Sequence, residues 1–216
     1  MTITNPKIKI ATILPYKENY TFAKASAASL WVSEFYKKSI FRSSNHIYGH
    51  TKYKDYLTKN YININLKNIK SKLKSATREY SHKLIKKFRN LNYDIIEIHN
   101  RPLILNEISK FIKARYIMYY HNDPLSMNGS KTIKERLLII SNVEKIIFVS
   151  EWVQKRFFID LDDKLKIKTE VVYPSVNYKK KMIKKQNYIT FVGKLNESKG
   201  YDIFSKSIIN ILDEFP

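Results

Sequence analysis

The chain has 216 residues, of which 44% are hydrophobic and 13% aromatic, enough for a folded core and too many for a wholly disordered protein. It contains no cysteine, which excludes disulfide scaffolds, thiolate metal sites and cysteine nucleophiles. Its 40 Lys and Arg against 19 Asp and Glu give a formal charge of +21, and such an excess attracts nucleic acid, anionic lipid or phosphorylated small molecules. Because lysine greatly outnumbers arginine, a general compositional bias explains the charge equally well.

Short apolar runs alternate along the chain with longer amphipathic stretches, a pattern typical of βαβ units and a parallel sheet. In chain order, strands are predicted over residues 8–14, 94–98, 116–120, 145–149, 169–173 and 188–192. The tyrosine-rich segment 45–65 predicts one or two further short strands. Helices are predicted over residues 23–41, 66–91, 103–113, 131–140, 151–158 and 201–214, with Ser150 as the N-cap of helix 151–158.

Two of these helices show clear faces. The buried face predicted for helix 23–41 consists of Ala28, Trp31, Val32, Phe35 and Tyr36. Helix 66–91 has apolar residues in steps of three and four, and Lys and Arg cover its other faces. Such a basic helix can lie on an anionic membrane or pair with a partner, but more often it is the solvated outer helix of an α/β domain.

A lysine-dense segment divides the chain. Residues 178–186 are predicted to be a linker, 1–177 an N-terminal domain, and 187–216 the first βα unit of a second domain. One βα unit cannot bury its own apolar faces, so we expect it to open a domain whose remainder is missing; docking on the first sheet is the alternative. No apolar run approaches the ~20 residues that span a bilayer, and no secretory signal is recognised, so a cytoplasmic protein is expected.

Two predicted strands end in the same way, each followed by a histidine, two polar residues and a proline. These polar residues are His99, Asn100 and Arg101 after one strand, and His121, Asn122 and Asp123 after the other. The carboxyl ends of parallel strands line the crevice in which ligands bind. A histidine there can accept a proton or donate a hydrogen bond to substrate, although it can also merely bond a neighbouring loop. No HExxH spacing occurs, so no metal site is expected.

A second candidate site is the turn from Gly193 to Gly200, before helix 201–214. Lys194 and Lys199 place two ammonium groups beside a helix N-terminus, where free N–H groups favour phosphate. The turn lacks the Gly-Lys-Ser/Thr of a Walker loop. The two lysines could hold a diphosphate and stabilise its charge as it leaves, or they could simply be solvated.

Residues 191–204, FVGKLNESKGYDIF, resemble the "FVGRL…KG" segment that opens the donor-binding domain of glycosyltransferase family 4. Residues 94–99, 119–124, 148–152 and 171–176 resemble, in order, landmarks of that family's N-terminal domain. The resemblance implies the GT-B fold, in which two Rossmann-like domains with doubly wound parallel sheets face a cleft. It also implies sugar transfer from a nucleotide-diphosphate donor, usually with retention, without a metal or other cofactor.

By that resemblance, Gly193, Lys194 and Lys199 hold the donor diphosphate, and His121 lies near the transferred sugar. Seven further residues are expected on the acceptor side or in the cleft: His99, Asn100, Arg101, Asn122, Asp123, Ser150 and Glu151. The chain departs from the family at residues 24–28, where Lys-Ala-Ser-Ala-Ala replaces a double glycine, and at Lys194, where arginine is usual. The family's Glu-x7-Glu segment would lie after Pro216.

The sequence therefore predicts a truncated or split hexosyltransferase-like enzyme of cell-surface polysaccharide synthesis, inactive as this fragment alone. Its acceptor would be a glycan or a lipid-linked molecule, and its basic surface would hold it at the inner face of the membrane. The alternative is a non-catalytic basic module that binds an anionic membrane or a partner chain supplying the donor domain. Nucleic-acid binding is not expected, because no recognition motif accompanies the charge.

Overall fold

The computed structural model describes residues 8–66, 75–175, 188–193 and 195–214. The chain divides into two compact units, Met1–Ser175 and Val176–Pro216. The predicted linker, residues 178–186, lies outside the described residues, as do Lys194 and residues 67–74 of the predicted basic helix.

A seven-stranded sheet forms the centre of the first unit. Its strands are β1 (Ile10–Ile13), β2 (Asn45–Gly49), β3 (Tyr61–Asn63), β4 (Ile95–His99), β5 (Arg115–Tyr120), β6 (Lys145–Phe148) and β7 (Thr169–Val171). Every neighbouring pair is parallel, in the order β3-β2-β1-β4-β5-β6-β7. The chain therefore winds outward in both directions from the centre, and the predicted Rossmann-like α/β fold is confirmed.

Five helices connect these strands: α1 (Ala27–Lys38), α2 (Ala76–Phe88), α3 (Pro102–Ile108), α4 (Ile133–Asn142) and α5 (Glu151–Phe157). Their starts follow capping chemistry that is visible in the sequence. Ser26 and Ser150 each accept a hydrogen bond from a backbone N–H of the first turn, as predicted for Ser150. Thr132 and Glu135 form a reciprocal capping box at α4, and Pro102 occupies the first turn of α3.

Two apolar clusters hold the helices to the sheet. The larger one joins strand residues such as Ile96, Ile98 and Met118 to α2, α3, α4 and α5. The smaller one joins Leu14 and Ile47 to Val32 of α1. The strand sequences are nearly continuous apolar runs because strand residues contribute to both clusters.

Several predicted boundaries were wrong. The helix predicted over 23–41 spans 27–38, and the one predicted over 103–113 ends at Ile108. Leu66 is not helical, and α2 begins after Ser75, whose backbone is extended. The ambiguous segment 45–65 contains two short strands, β2 and β3.

The buried face of α1 also differs from the prediction. Phe35 is 44% exposed, whereas Ser29 and Ser33 are buried. The two small serine side chains therefore occupy buried positions of the helix, and the bulky aromatic ring lies outside.

The second unit contains helix α6 (Tyr201–Glu214), as predicted. The strand predicted over 188–192 is wrong, since these residues form no strand. Val192 is 90% exposed and, among the described residues, no neighbouring strand pairs with this segment, so its backbone groups have no ladder to join. A single 3-10 turn, Glu197–Lys199, and Gly200 at φ 71° lead into α6.

Over the part of the chain that the structure describes, no helix is both long enough and apolar enough to cross a lipid bilayer.

Candidate functional site

Two histidines meet at the carboxyl edge of the sheet. His99 is the last residue of β4, and His121 follows β5 directly. Because these strands are parallel neighbours, with His99 in register with Tyr119, the two imidazoles lie side by side. The Nδ1 atom of His99 and the Nε2 atom of His121 are 2.8 Å apart, a direct hydrogen bond.

Burial keeps both imidazoles neutral. His99 is 1% exposed, and desolvation, with a further contribution from His121, holds its pKa well below the usual range. Desolvation lowers the pKa of His121 to about 4. At neutral pH, neither ring carries a charge, so the pair can donate and accept hydrogen bonds but does not act as a cation.

The tautomer of the pair follows from its surroundings. The bond between the two rings needs an N–H on one nitrogen and a lone pair on the other. The second nitrogen of His99, Nε2, is buried and has no partner among the described residues. A buried N–H without an acceptor is rarer than an unused lone pair. This favours donation from His99 Nδ1–H to His121 Nε2, which leaves the Nδ1–H of His121 available to a ligand.

An aromatic shell holds the two rings in place. Tyr119 stacks on His99 with ring centroids 4.4 Å apart and planes 6° apart. Trp31 of α1 stands edge-on to both histidines, at 5.8 Å from His99 and 5.2 Å from His121. The shell restricts ring rotation and excludes water, which is the cause of the lowered pKa values.

A partly buried carboxyl group, that of Glu97, continues the site next to Tyr119. Glu97 Oε1 accepts a hydrogen bond from the Tyr119 hydroxyl at 3.2 Å, and Oε2 accepts one from the Thr12 hydroxyl at 2.6 Å. Burial raises the pKa of Glu97, and these two bonds partly oppose the rise. Sequence reasoning missed this residue, although a glutamate inside the apolar run Ile-Ile-Glu-Ile was a usable signal.

Asn100 connects the ends of the same two strands. Its backbone has φ 51°, a left-handed conformation that asparagine tolerates better than most residues. Its Oδ1 atom accepts a hydrogen bond from the backbone N–H of His121 at 2.7 Å. Arg101, the next residue, donates from Nη1 to the Asn100 carbonyl and lies over the Tyr16 ring.

The other residues predicted for the cleft lie along the same edge. Asn122 is exposed, and Glu151 is exposed in the first turn of α5. Asp123 forms a forked ion pair with Arg156, from which Nε and Nη2 donate at 3.0 to 3.3 Å. This pair lowers the pKa of Asp123 and occupies its carboxylate, so the geometry gives Asp123 a structural role.

The second unit brings together two of the three residues predicted to bind diphosphate. A Cβ atom added to Gly193 would lie 3.7 Å from the Cβ of Lys199, so backbone and lysine are close neighbours. Lys199 is exposed and ends the turn that precedes Gly200 and α6. Lys194 lies outside the described residues.

Within the described ranges, no group of three or more His, Asp or Glu side chains could hold a metal ion.

Comparison with solved structures shows what this architecture resembles. A glycosyltransferase from Rickettsia africae aligns with a TM-score of 0.52 and 16% identity over 79% of this chain and 44% of that one. Sucrose-phosphate synthase from Thermosynechococcus elongatus aligns with a TM-score of 0.50 and 11% identity over 79% of this chain and 49% of that one. No protein-family model and no curated protein matches the sequence.

These similarities concern the fold. The chain has a Rossmann-like α/β fold similar to part of GT-B glycosyltransferases, as the sequence predicts, and it spans slightly less than half the length of these two solved structures. Membership of glycosyltransferase family 4 stays a prediction.

Proposed function

We propose that the chain takes part in transferring a hexose from a nucleotide-diphosphate sugar to a glycan or lipid-linked acceptor. The observation that carries the proposal is the neutral His99–His121 pair, held at the carboxyl edge of a sheet whose fold matches a glycosyltransferase. In such parallel sheets, this edge is where ligands bind.

His121 would act by orientation rather than by proton transfer. With its pKa near 4, the ring is neutral at pH 7, and its Nδ1–H can donate a hydrogen bond to a hydroxyl oxygen of the transferred sugar. His99, Trp31 and Tyr119 fix the ring before substrate arrives, so no binding energy is lost in ordering it.

Lys199 would hold the donor diphosphate. It lies at the end of an exposed turn, beside the Gly193 backbone, and its ammonium group can offset the charge that develops on the departing nucleoside diphosphate. We propose that Lys194 contributes in the same way, and that the reaction needs neither a metal nor an organic cofactor and retains the anomeric configuration.

The net charge supports a location at the membrane surface. With a formal charge of +21, the protein would associate with anionic lipid at the inner face of the membrane, where polysaccharide or glycolipid acceptors are assembled.

Calorimetry with UDP-, GDP- and ADP-hexoses, on the polypeptide as its gene encodes it, tests the proposal. We expect one of them to bind, Lys199→Ala to weaken binding about tenfold, and Lys206→Ala, an exposed lysine on α6, to leave it unchanged. His121→Asn should reduce transfer of labelled hexose to membrane lipid extract by about 10- to 100-fold while donor affinity is kept.

Failure of every nucleotide sugar to bind would overturn the assignment. Salt-sensitive binding to anionic vesicles in the same preparation would then favour the non-catalytic basic module.

A further inference from the structure

A polar cavity of about 360 Å³ is lined by Asn100 and Arg101, the two residues that follow His99 in the sequence. Most of its lining residues follow β1, β4 or β5, and Thr77 of α2 completes the lining, so the cavity lies at the carboxyl edge of the sheet, where the proposed acceptor would bind. Its lining includes Tyr16 and Lys17 after β1, Asn100 and Arg101 after β4, and Asn128 in the loop after β5.

The cavity is cationic. Lys17 and Arg101 both line it, and none of the described lining residues carries a carboxylate. The nearest acid along the chain, Glu18, accepts a hydrogen bond from the Ser26 hydroxyl at 2.7 Å. Arg101 is pre-positioned by its bond to the Asn100 carbonyl and by the Tyr16 ring, 5.7 Å from the guanidinium carbon, so little side-chain freedom is lost when it binds an anion.

A buried amide faces the same cavity. Asn100 is 2% exposed, and its Oδ1 accepts the His121 backbone N–H at 2.7 Å. A backbone N–H can only donate, so the side-chain atom of Asn100 that faces His121 must be the amide oxygen. The amide nitrogen, Nδ2, is therefore the atom that points away from His121. Nδ2 donates no hydrogen bond to any residue that the structure describes. Since this side chain is buried apart from the cavity that it lines, an oxygen from a ligand in the cavity can accept the Nδ2 hydrogen bond.

We propose that this cavity binds a phosphate group carried by the acceptor, an inference that rests on the proposed function. An arginine fork, an ammonium group and an amide donor together match the charge and the several oxygens of a phosphomonoester. Asn100 lines the cavity and also accepts a hydrogen bond from the His121 backbone. A phosphate bound there would therefore hold the acceptor one side chain away from the proposed sugar site.

Titration of the ¹⁵N-labelled polypeptide with inorganic phosphate tests the cavity directly. We expect the Asn100 side-chain amide resonances to shift on binding. Arg101→Gln and Lys17→Gln should each weaken binding about tenfold, whereas Lys134→Gln, an exposed lysine on α4, should not. Lys17 is exposed, so its variant is expected to fold even if loss of the Arg101 contact with Tyr16 is disruptive.

Two further arms identify the source of the phosphate. Glucose 6-phosphate competing with inorganic phosphate would indicate a water-soluble sugar phosphate, and competition by vesicles containing phosphatidic acid would indicate a lipid headgroup. An unchanged affinity in both cavity variants, or no shift at Asn100, would overturn the proposal.

The nucleotide-sugar titration separates this proposal from the proposed function. Donor affinity that depends on Lys199 but not on Arg101 supports both. Donor affinity that falls in Arg101→Gln would mean that the donor itself occupies the cavity, which refutes an acceptor subsite. Phosphate binding at Asn100 without any nucleotide-sugar binding would refute the proposed function alone.

Discussion

His99 Nδ1 and His121 Nε2 share one hydrogen bond of 2.8 Å across 22 residues of sequence. The bond joins the ends of β4 and β5, and it exists only while both rings are neutral or one alone is protonated. Two imidazolium rings at this distance would repel each other in a poorly solvated site. The pair therefore links the geometry of the candidate site to pH.

Acid should destabilise the protein through His121. Burial lowers its pKa to about 4 in the fold, against 6.5 in the unfolded chain, so between these values the unfolded state binds more protons. The contribution of neutral His121 to the free energy of unfolding is fully present above pH 6.5. It falls by about 3 kcal/mol as the pH falls toward 4. Urea unfolding at half-unit pH steps measures this loss.

The matched controls for that experiment are two histidine variants. His121→Asn should make the curve between pH 6.5 and 4 shallower, with buried His99 still contributing to the remaining slope, whereas His82→Asn, at an exposed position of α2, should reproduce the wild-type slope. Equal slopes in the two variants would refute the account of the pair.

Tyr119 should contribute through its hydroxyl and through its ring separately. Tyr119→Phe removes the hydrogen bond to Glu97 but keeps the stack on His99, so we expect a loss of about 1 kcal/mol in the free energy of unfolding. Tyr119→Leu also removes the stack and should cost about 1 kcal/mol more. Chemical denaturation of both variants checks this, and equal losses would show that the ring contact is not stabilising.

Glu97 should make the protein less stable as the pH rises. Burial raises its pKa in the fold, so between 4.5 and that raised value the folded state holds a proton that the unfolded chain has released. Glu97→Gln lacks this group, and we expect its stability relative to wild type to improve between pH 4.5 and pH 7.5. Glu144→Gln, at a carboxylate 57% exposed, is the control, and a pH-independent difference for Glu97→Gln would contradict the expectation.

Gly129 should not tolerate a side chain. Its φ is 95°, and an added Cβ would lie 2.9 Å from Leu103 Cδ2 and 3.1 Å from the Leu103 backbone nitrogen. We expect Gly129→Ala to lower the free energy of unfolding by about 1 to 3 kcal/mol. Adding Leu103→Ala should not restore wild-type stability, because the backbone contact and the strained φ persist; full recovery would show that only the leucine methyl was limiting.

Much of the fold was predictable because it follows from local patterns. The alternation of short apolar runs with amphipathic stretches predicted the strand and helix order, and Ser150 was correctly identified as a helix cap. The positions of His99 and His121 at strand ends were also correct, since the carboxyl ends of parallel strands meet at one edge.

The failures occurred where a neighbour distant in sequence decides the outcome. Residues 188–192 have the composition of a buried strand, but a strand needs a partner, and the described residues supply none. Phe35 continues an apolar stripe, yet it is exposed, and Ser29 and Ser33 of α1 are buried instead. Asp123 looks available in the sequence, and only the structure shows Arg156 occupying it.

By itself, the sequence determined the kind of fold and the edge of the sheet where polar residues collect, because residue periodicity and strand length are local properties. The tertiary structure decided which of those residues act together. Thr12 reaches Glu97 across 85 residues of sequence, and His99 reaches His121 across 22, because β1, β4 and β5 are adjacent in one register. Strand order and register arise from the packing of the whole sheet, which no single segment encodes.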